Sequence, residues 1–222
     1  MNIKHYNQIA GQRIQRVESL SDNVFAVAAT LLVLNIKVPV SEAIRSEKGL
    51  ATAFSALSPT LLTYFLSFIT VGIFWTGQSV AFHYINKSDR NVYWINLFFL
   101  LLISLIPFTT AFLSAHIKFR FAIAIYWLNL LLLGIMILIN WHYVDKHNFL
   151  YVSGAEKTKV VKAIKRRVLI AQALYASGAL LSLISPYLSI VVFCIVQLNY
   201  ALAPFSKVRQ AGDEISERTS SS

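Results

Sequence analysis

The feature that most constrains this chain is a series of long apolar runs separated by short polar connections. Six runs are present, at roughly 20–38, 55–82, 91–115, 121–144, 168–185 and 187–205. A bilayer core of about 30 Å is crossed by about 20 apolar residues of helix. The first five runs meet or approach that length without a charge at their centre, and the sixth has only Gln197 and Asn199 as strongly polar groups. The sequence therefore predicts an all-α membrane protein with six transmembrane helices per subunit.

The positive charge of the chain is divided unevenly between the two sides that six crossings define. The formal net charge is +10. With both termini on one side, that side holds 15 of the 20 Lys and Arg residues, and the other side holds five. Because basic loops tend to remain in the cytoplasm, we expect a multi-pass protein of the cytoplasmic membrane with both termini cytoplasmic. The basic cytoplasmic loops should attract anionic lipid, and nucleic acid is not an expected partner.

The connections divide the chain into a cytoplasmic N-terminal segment at 1–17, a six-helix transmembrane domain at 18–206 and a disordered cytoplasmic tail at 207–222. The longest connection, 145–167, is rich in Lys and Arg, and its second half, from Glu156, is expected to extend the fifth helix. Ser185-Pro186 predicts a turn between the last two helices, since proline cannot continue a helix interior.

The sequence argues against an enzyme. It has no phosphate-binding GxxxxGK[ST], no metal-binding HExxH and no paired Cys motif, and its five histidines lie near the ends of the runs. The single cysteine, Cys194, rules out an intrachain disulfide and is expected to be a small buried apolar residue. Apart from Asp22, near one end, no carboxylate or histidine lies well inside a run, where proton-coupled carriers and intramembrane enzymes need one. We expect no cofactor and no metal site.

The first run has an aliphatic stripe. At 100° per residue, Val27, Leu31 and Leu34 lie within about 60° of one another on a helix, with Thr30 at the edge of the stripe. Two interpretations remain open. Branched aliphatic residues at this spacing usually pack against neighbouring helices or lipid. If several subunits bring the stripe to a common axis, the same residues form a hydrophobic constriction that gates by dewetting.

Asp22 lies at the start of the first run and needs a partner, because an unpaired carboxylate near hydrocarbon is costly. Ser21 and Asp22 point roughly 120–140° away from the stripe. Arg16 would lie about 9 Å along the axis and 120° around the helix, so a direct pair within one helix is not expected. The remaining partners are Ser19, backbone N–H groups at a helix start, or a donor on another helix. The segment SLSD is also typical of a helix N-cap.

A second stripe competes for any conduction path. Thr60, Thr63, Ser67 and Thr70 share one side of the second run. Hydroxyls at this spacing often bond back to the i−4 carbonyl or join helices to one another. In the fifth run, the small residues of 173–177 and 178–182 predict close helix packing.

The segment RVESLSDNVFAVAATLLVL (16–34) resembles the first-helix signature of the transmembrane protein 175 family of potassium channels, RxxxFSD followed by an apolar run. The match comprises Arg16, Ser21 and Asp22, with Leu20 in place of phenylalanine. The resemblance extends to GIFWTGQ (72–78). Trp75 matches a tryptophan that the family commonly has near the end of its second span, and Gln78 stands where the family has a histidine.

The resemblance implies a homotetramer of six-helix subunits whose first helix lines the pore, and which conducts potassium over sodium without the usual filter loop. Carried over by position, three pore-facing rings fall on Val27, Leu31 and Leu34, with Thr30 as the nearest polar group. The resemblance also places five residues in a network that holds the first helix against its neighbours: Arg16, Ser21, Asp22, Trp75 and Gln78.

The hypothesis is therefore a potassium-preferring, leak-type channel with hydrophobic constriction rings. Two alternatives remain open at the level of sequence. A small carrier would need a polar cavity, near Trp75, Gln78 and Asn35. A non-conducting membrane adaptor would act through the basic connection at 145–167.

Overall fold

The structure is a computed structural model that describes residues 14–39 and 44–202, and these residues are almost entirely helical. The eight helices in these ranges are α1 (Ile14–Val33), α2 (Glu47–Ser55), α3 (Ser58–Tyr84), α4 (Arg90–Ser104), α5 (Ile106–Ala115), α6 (Arg120–Lys146), α7 (Gly154–Leu181) and α8 (Pro186–Leu202). An isolated antiparallel bridge joins Ile85 to Leu150. The prediction of an all-α membrane protein is confirmed.

The long helices coincide with the predicted apolar runs, and α4 and α5 together form the third. Within the described residues, three segments are long and apolar enough to cross a membrane: Ser58–Tyr84, Arg90–Ala115 and Arg120–Lys146. The apolar α8 is shorter, and α1 and α7 carry charged residues in their first halves. Six crossings per subunit therefore stays a prediction.

Two predicted boundaries agree with the structure. The basic connection does extend the fifth helix, since α7 begins at Gly154, and α8 begins at Pro186. The short helix α2, capped by Ser46, which accepts a hydrogen bond from the Gly49 N–H at 3.1 Å, was not predicted. The predicted tail at 207–222 lies outside the described residues, as does most of the N-terminal segment.

The first helix starts earlier than its apolar run. Because Ile14 is already helical, Asp22 lies in the interior of α1. The interpretation of SLSD as a helix N-cap was therefore wrong. A hydropathy pattern locates only the apolar part of a helix, so it does not detect the polar residues with which α1 begins.

The helices pack around α6, which contacts α4, α5, α7 and α8. Helix α1 lies at the other side of the bundle, where it contacts α3, α4 and α5. Its apolar face joins a core cluster that includes Phe25, Leu32 and Phe99. This position leaves the rest of the α1 surface free of the subunit's own long helices.

The third apolar run is interrupted at Leu105. Helix α4 ends at Ser104, and α5 begins at Ile106 with Pro107 in its first turn. The side-chain amide of Asn35, just beyond α1, donates a hydrogen bond to the Pro107 carbonyl at 3.2 Å. The end of α1 is thereby tied to the break in the third run.

Candidate functional site

Helix α1 has a buried face at regular helical spacing. Its buried residues are Val17, Ser21, Phe25, Ala28 and Leu32. The Phe25 ring lies 6.1 Å from the Phe99 ring of α4. The packing of this face sets the rotation of α1 against the bundle and therefore which residues point away from it.

The predicted aliphatic stripe points away from the bundle. Val27 is 55% exposed, Leu31 42% and Leu34 70%. At 100° per residue, the stripe is centred about 110° from the buried face. Thr30 is exposed beside it, and its hydroxyl donates to the Val27 carbonyl at 2.9 Å. Within one subunit, the stripe is an uncovered apolar surface.

Asp22 finds its partner on another helix. The indole Nε1–H of Trp75, on α3, donates to Asp22 Oδ1 at 2.9 Å. The Ser19 hydroxyl donates instead to the Gln15 carbonyl, also at 2.9 Å. Of the partners left open by the sequence, the interhelical donor is the one present, and it links α1 to α3 beside the buried face.

Gln78 belongs to a separate hydrogen-bonded pair. Its side-chain amide is buried and donates to Asn96 Oδ1 on α4, while Asn96 Nδ2 donates to the Val92 carbonyl at 2.8 Å. Sequence reasoning missed Asn96, although an asparagine inside an apolar run is itself a signal of an interhelical hydrogen bond.

The other two motif residues have no such partner within the described residues. Ser21 is 1% exposed, and its hydroxyl makes no hydrogen bond there. Arg16 is exposed, and neither of the two ion pairs in this part of the chain includes it. The structure thus joins Asp22 to Trp75 directly and does not bring Arg16, Ser21 and Gln78 into the same set of bonds.

The hydroxyl stripe of α3 is enclosed within the subunit. Thr63, Ser67 and Thr70 are all buried. The Thr110 hydroxyl of α5 donates to Ser67 Oγ at 2.6 Å, and Thr70 Oγ1 lies 3.2 Å from the Tyr126 hydroxyl of α6. The Gln197 amide of α8 donates to Thr70. These side chains join four helices to one another, so the packing interpretation of the stripe is the one the contacts favour.

The polar residues of the carrier alternative are only partly brought together. A cavity of about 480 Å³ is bounded by α3, α6, α7 and the end of α8, and both Trp75 and Gln78 line it. Asn35 does not belong to the lining and is bonded to Pro107 instead. Aliphatic and aromatic side chains form most of the cavity wall.

Comparison with known proteins identifies relatives of this fold and this first helix. The model of a family described as the endosomal/lysosomal potassium channel TMEM175 matches residues 16–107. A potassium channel of Chamaesiphon minutus is 30% identical over 190 residues, which are 84% of this chain and 93% of that one. The human endosomal/lysosomal proton channel TMEM175 is 40% identical over 81 residues, 34% of this chain and 16% of the human protein.

A solved structure has the same architecture. It is the crystal structure of a lysosomal potassium-selective channel TMEM175 homolog from Chamaesiphon minutus. The TM-score is 0.73 at 29% sequence identity, and the alignment covers 86% of this chain and 97% of the other. The likeness therefore extends well beyond the first-helix motif, over most of both chains.

Proposed function

This chain belongs to the TMEM175 family of channels, and on that premise we propose that it is a potassium-preferring, leak-type channel of the cytoplasmic membrane. It is a channel rather than an enzyme. Its permeant ion is potassium, and no cofactor takes part. Constriction rings of Val27, Leu31 and Leu34 narrow the path, and no carbonyl-lined filter loop is used.

The observation that carries this proposal is the exposure of the aliphatic stripe on a helix at the edge of the bundle. Helix α1 also has an arginine, a glutamate and an aspartate among its first nine residues. Arg16 belongs to the predicted cytoplasmic segment, whereas Asp22, the deepest of the three, would bear the cost of a charge near hydrocarbon on a helix surrounded by lipid alone. An apolar surface beside ionisable groups is better suited to a shared axis, where several copies of α1 exclude lipid from one another.

The assembly we propose is a homotetramer with both termini in the cytoplasm. Four copies of α1 surround the path, with Thr30 as the nearest polar group. The motif network, Arg16, Ser21, Asp22, Trp75 and Gln78, acts on the position of α1 rather than on the ion. The 2.9 Å bond between Trp75 and Asp22 supports this role, since it joins α1 to α3 on the side away from the stripe.

The test is reconstitution in liposomes, with potassium and sodium flux measured for the wild type and for Leu31→Ala. Removing the isobutyl group should widen the constriction and therefore raise flux or weaken discrimination between the two cations. Leu101→Ala is the matched control, because Leu101 is 55% exposed on α4, outside the stripe. Unchanged conduction in Leu31→Ala would remove Leu31 from the gate.

The carrier alternative has one observation in its favour, the cavity lined by Trp75 and Gln78. A carrier would show saturable counter-exchange of its substrate across the liposome membrane, whereas a channel shows discrete unitary currents in a planar bilayer. The predominantly apolar wall argues against a hydrophilic substrate.

A further inference from the structure

The cavity bounded by α3, α6, α7 and α8 is separate from the proposed conduction path. Its volume of about 480 Å³ lies within the range of small-molecule and lipid-chain sites. Of the residues described, those that line it come from α3, α6, α7 and α8, and none comes from α1. An occupant of this cavity would therefore be a molecule other than the permeant ion.

The wall of the cavity has an apolar body and one charged group. Along α7, Ile164, Val168 and Ala171 provide an aliphatic surface, and Arg167 stands at its edge. No carboxylate is among the lining residues of the described chain. Two amide oxygens in this wall, Asn140 Oδ1 and Gln172 Oε1, have no hydrogen-bond partner in residues 14–39 and 44–202. The apolar wall and Arg167 fit an apolar molecule with an anionic end, and the two amide oxygens, which are acceptors, fit a donor such as a headgroup hydroxyl.

Arg167 is held in place without being neutralised. Its guanidinium carbon lies 5.5 Å from the centre of the Tyr200 ring, and the Tyr200 hydroxyl donates to the Arg167 carbonyl at 3.2 Å. Both ion pairs in the described part of the chain use Asp145, so neither compensates Arg167. A positioned guanidinium without a carboxylate is suited to bidentate binding of a phosphate group.

The depth of Arg167 matches a lipid headgroup. It precedes Leu181, the end of α7, by fourteen residues, or about 21 Å of helix. If α7 crosses the membrane, Arg167 lies near one boundary of a hydrocarbon core of about 30 Å. From there the lining of α7 continues to Tyr175, about 12 Å deeper.

We propose that this cavity binds an anionic phospholipid of the cytoplasmic leaflet, with the phosphate on Arg167 and an acyl chain between α3 and α7. The site also has a route to the first helix. Trp75 contributes to the cavity wall and donates its indole N–H to Asp22 of α1. An acyl chain in the cavity therefore packs against the side chain that anchors α1.

The experiment compares lipids on the purified full-length protein. Thermal unfolding and native mass spectrometry are measured with phosphatidylglycerol, with phosphatidylcholine and with inorganic phosphate alone. Phosphatidylglycerol should raise Tm the most and remain bound, and phosphate alone should have no effect. Arg167→Gln should weaken retention of phosphatidylglycerol about tenfold, the equivalent of one charge-assisted hydrogen-bonded contact.

Arg166→Gln is the matched control, since Arg166 is an exposed cation on the same helix that does not line the cavity. It should retain the lipid. An equal loss in both variants would reduce the effect to general attraction between a basic surface and anionic lipid, and would overturn the proposal. Protection by inorganic phosphate alone would also overturn it, because the apolar cavity would then have no part.

A second variant tests the cavity itself and does not depend on Arg167. Val168→Trp fills the space beside Arg167 while leaving the charge in place, and it should reduce lipid retention to the level of Arg167→Gln. Full retention in this variant would contradict the proposal. Loss of the oligomer in Val168→Trp would indicate that a neighbouring subunit covers the cavity, which would equally exclude the lipid.

Discussion

At the scale of single residues, two interhelical hydrogen bonds join α3 to α1 and to α4. Trp75 to Asp22 is charge-assisted and lies at the exposed edge of the contact, whereas Gln78 to Asn96 is neutral and buried between α3 and α4. The packed helices enclose the second bond and leave the first at the surface of the subunit. The two therefore make different predictions.

For the exposed bond, we predict that Asp22→Asn and Trp75→Phe each lower the stability of the assembled protein by about 1 kcal/mol. The double variant should cost little more than either single one, because each change removes the same interaction. Melting temperature and oligomer yield are the measurements. Normal assembly with altered ion selectivity in Asp22→Asn would instead place Asp22 in the path.

For the buried bond, the predicted loss of stability depends on the polar group that the substitution leaves without a partner. Gln78→Leu leaves the Asn96 carbonyl oxygen buried without its donor and should cost about 1–3 kcal/mol. Gln78→Leu combined with Asn96→Leu should recover part of that loss, since no unpaired polar group remains. If the double variant unfolds at a lower temperature than Gln78→Leu, then the pair stabilises the protein by more than the pairing of two buried polar groups.

Gln78 also bears on proton sensitivity, because glutamine does not titrate and a histidine changes charge between about pH 5 and 8. We predict that Gln78→His makes melting temperature or flux depend on pH in that range, while the wild type shows no such dependence from this position. Asn91→His, outside the buried pair, is the control. Equal pH responses in both variants would mean that the pH dependence does not come from position 78.

At the scale of helices, α7 and α8 pack closely at a glycine. A Cβ added to Gly178 would lie 2.9 Å from the Phe193 ring, whereas one added to Gly72 of α3 would meet nothing within 4 Å. Of the two predicted small-residue segments, the one from 178 does pack tightly in the subunit, while Ala173 and Ser177 are exposed. Periodicity cannot separate these two faces, since both place small residues four positions apart.

We predict that Gly178→Ala destabilises the subunit by about 1–3 kcal/mol, the usual cost of overpacking a contact that has no space to relax. Gly72→Ala should be neutral or mildly stabilising, because alanine favours a helix interior over glycine. Thermal unfolding of both variants in the same detergent is the comparison. Equal stability of the two would mean that Phe193 moves aside at little cost.

At the scale of the whole molecule, the sequence specified the helices better than the contacts. Apolar runs located, to within a few residues, the three segments that are long and apolar enough to cross a membrane, because the bilayer dictates their length and composition. Tyr126 and Gln197, which join α3, α6 and α8 through Thr70, were not predicted as partners. Which hydroxyl meets which amide depends on helix rotation, and one sequence does not carry that information.

The predicted orientation is open to a direct test with two matched loop residues. Lys118 and Lys87 are both exposed and lie in short connections that we place outside and inside the cell. In a Cys194→Ala background, Lys118→Cys should react with a membrane-impermeant maleimide on intact cells, and Lys87→Cys only after permeabilisation. The opposite labelling would reverse the assignment of both termini to the cytoplasm.

The hydrogen bond from Asn35 to the Pro107 carbonyl links the end of α1 to the junction between α4 and α5. Proline has no amide hydrogen to donate, so one helix hydrogen bond is missing near Leu105. The backbone there can act as a hinge between α4 and α5. A tilt of the Asn35 end of α1 would change the angle between α4 and α5, and a change in that angle would tilt α1. In the proposed homotetramer, widening of the pore would then be a coordinated movement of two helices in each protomer.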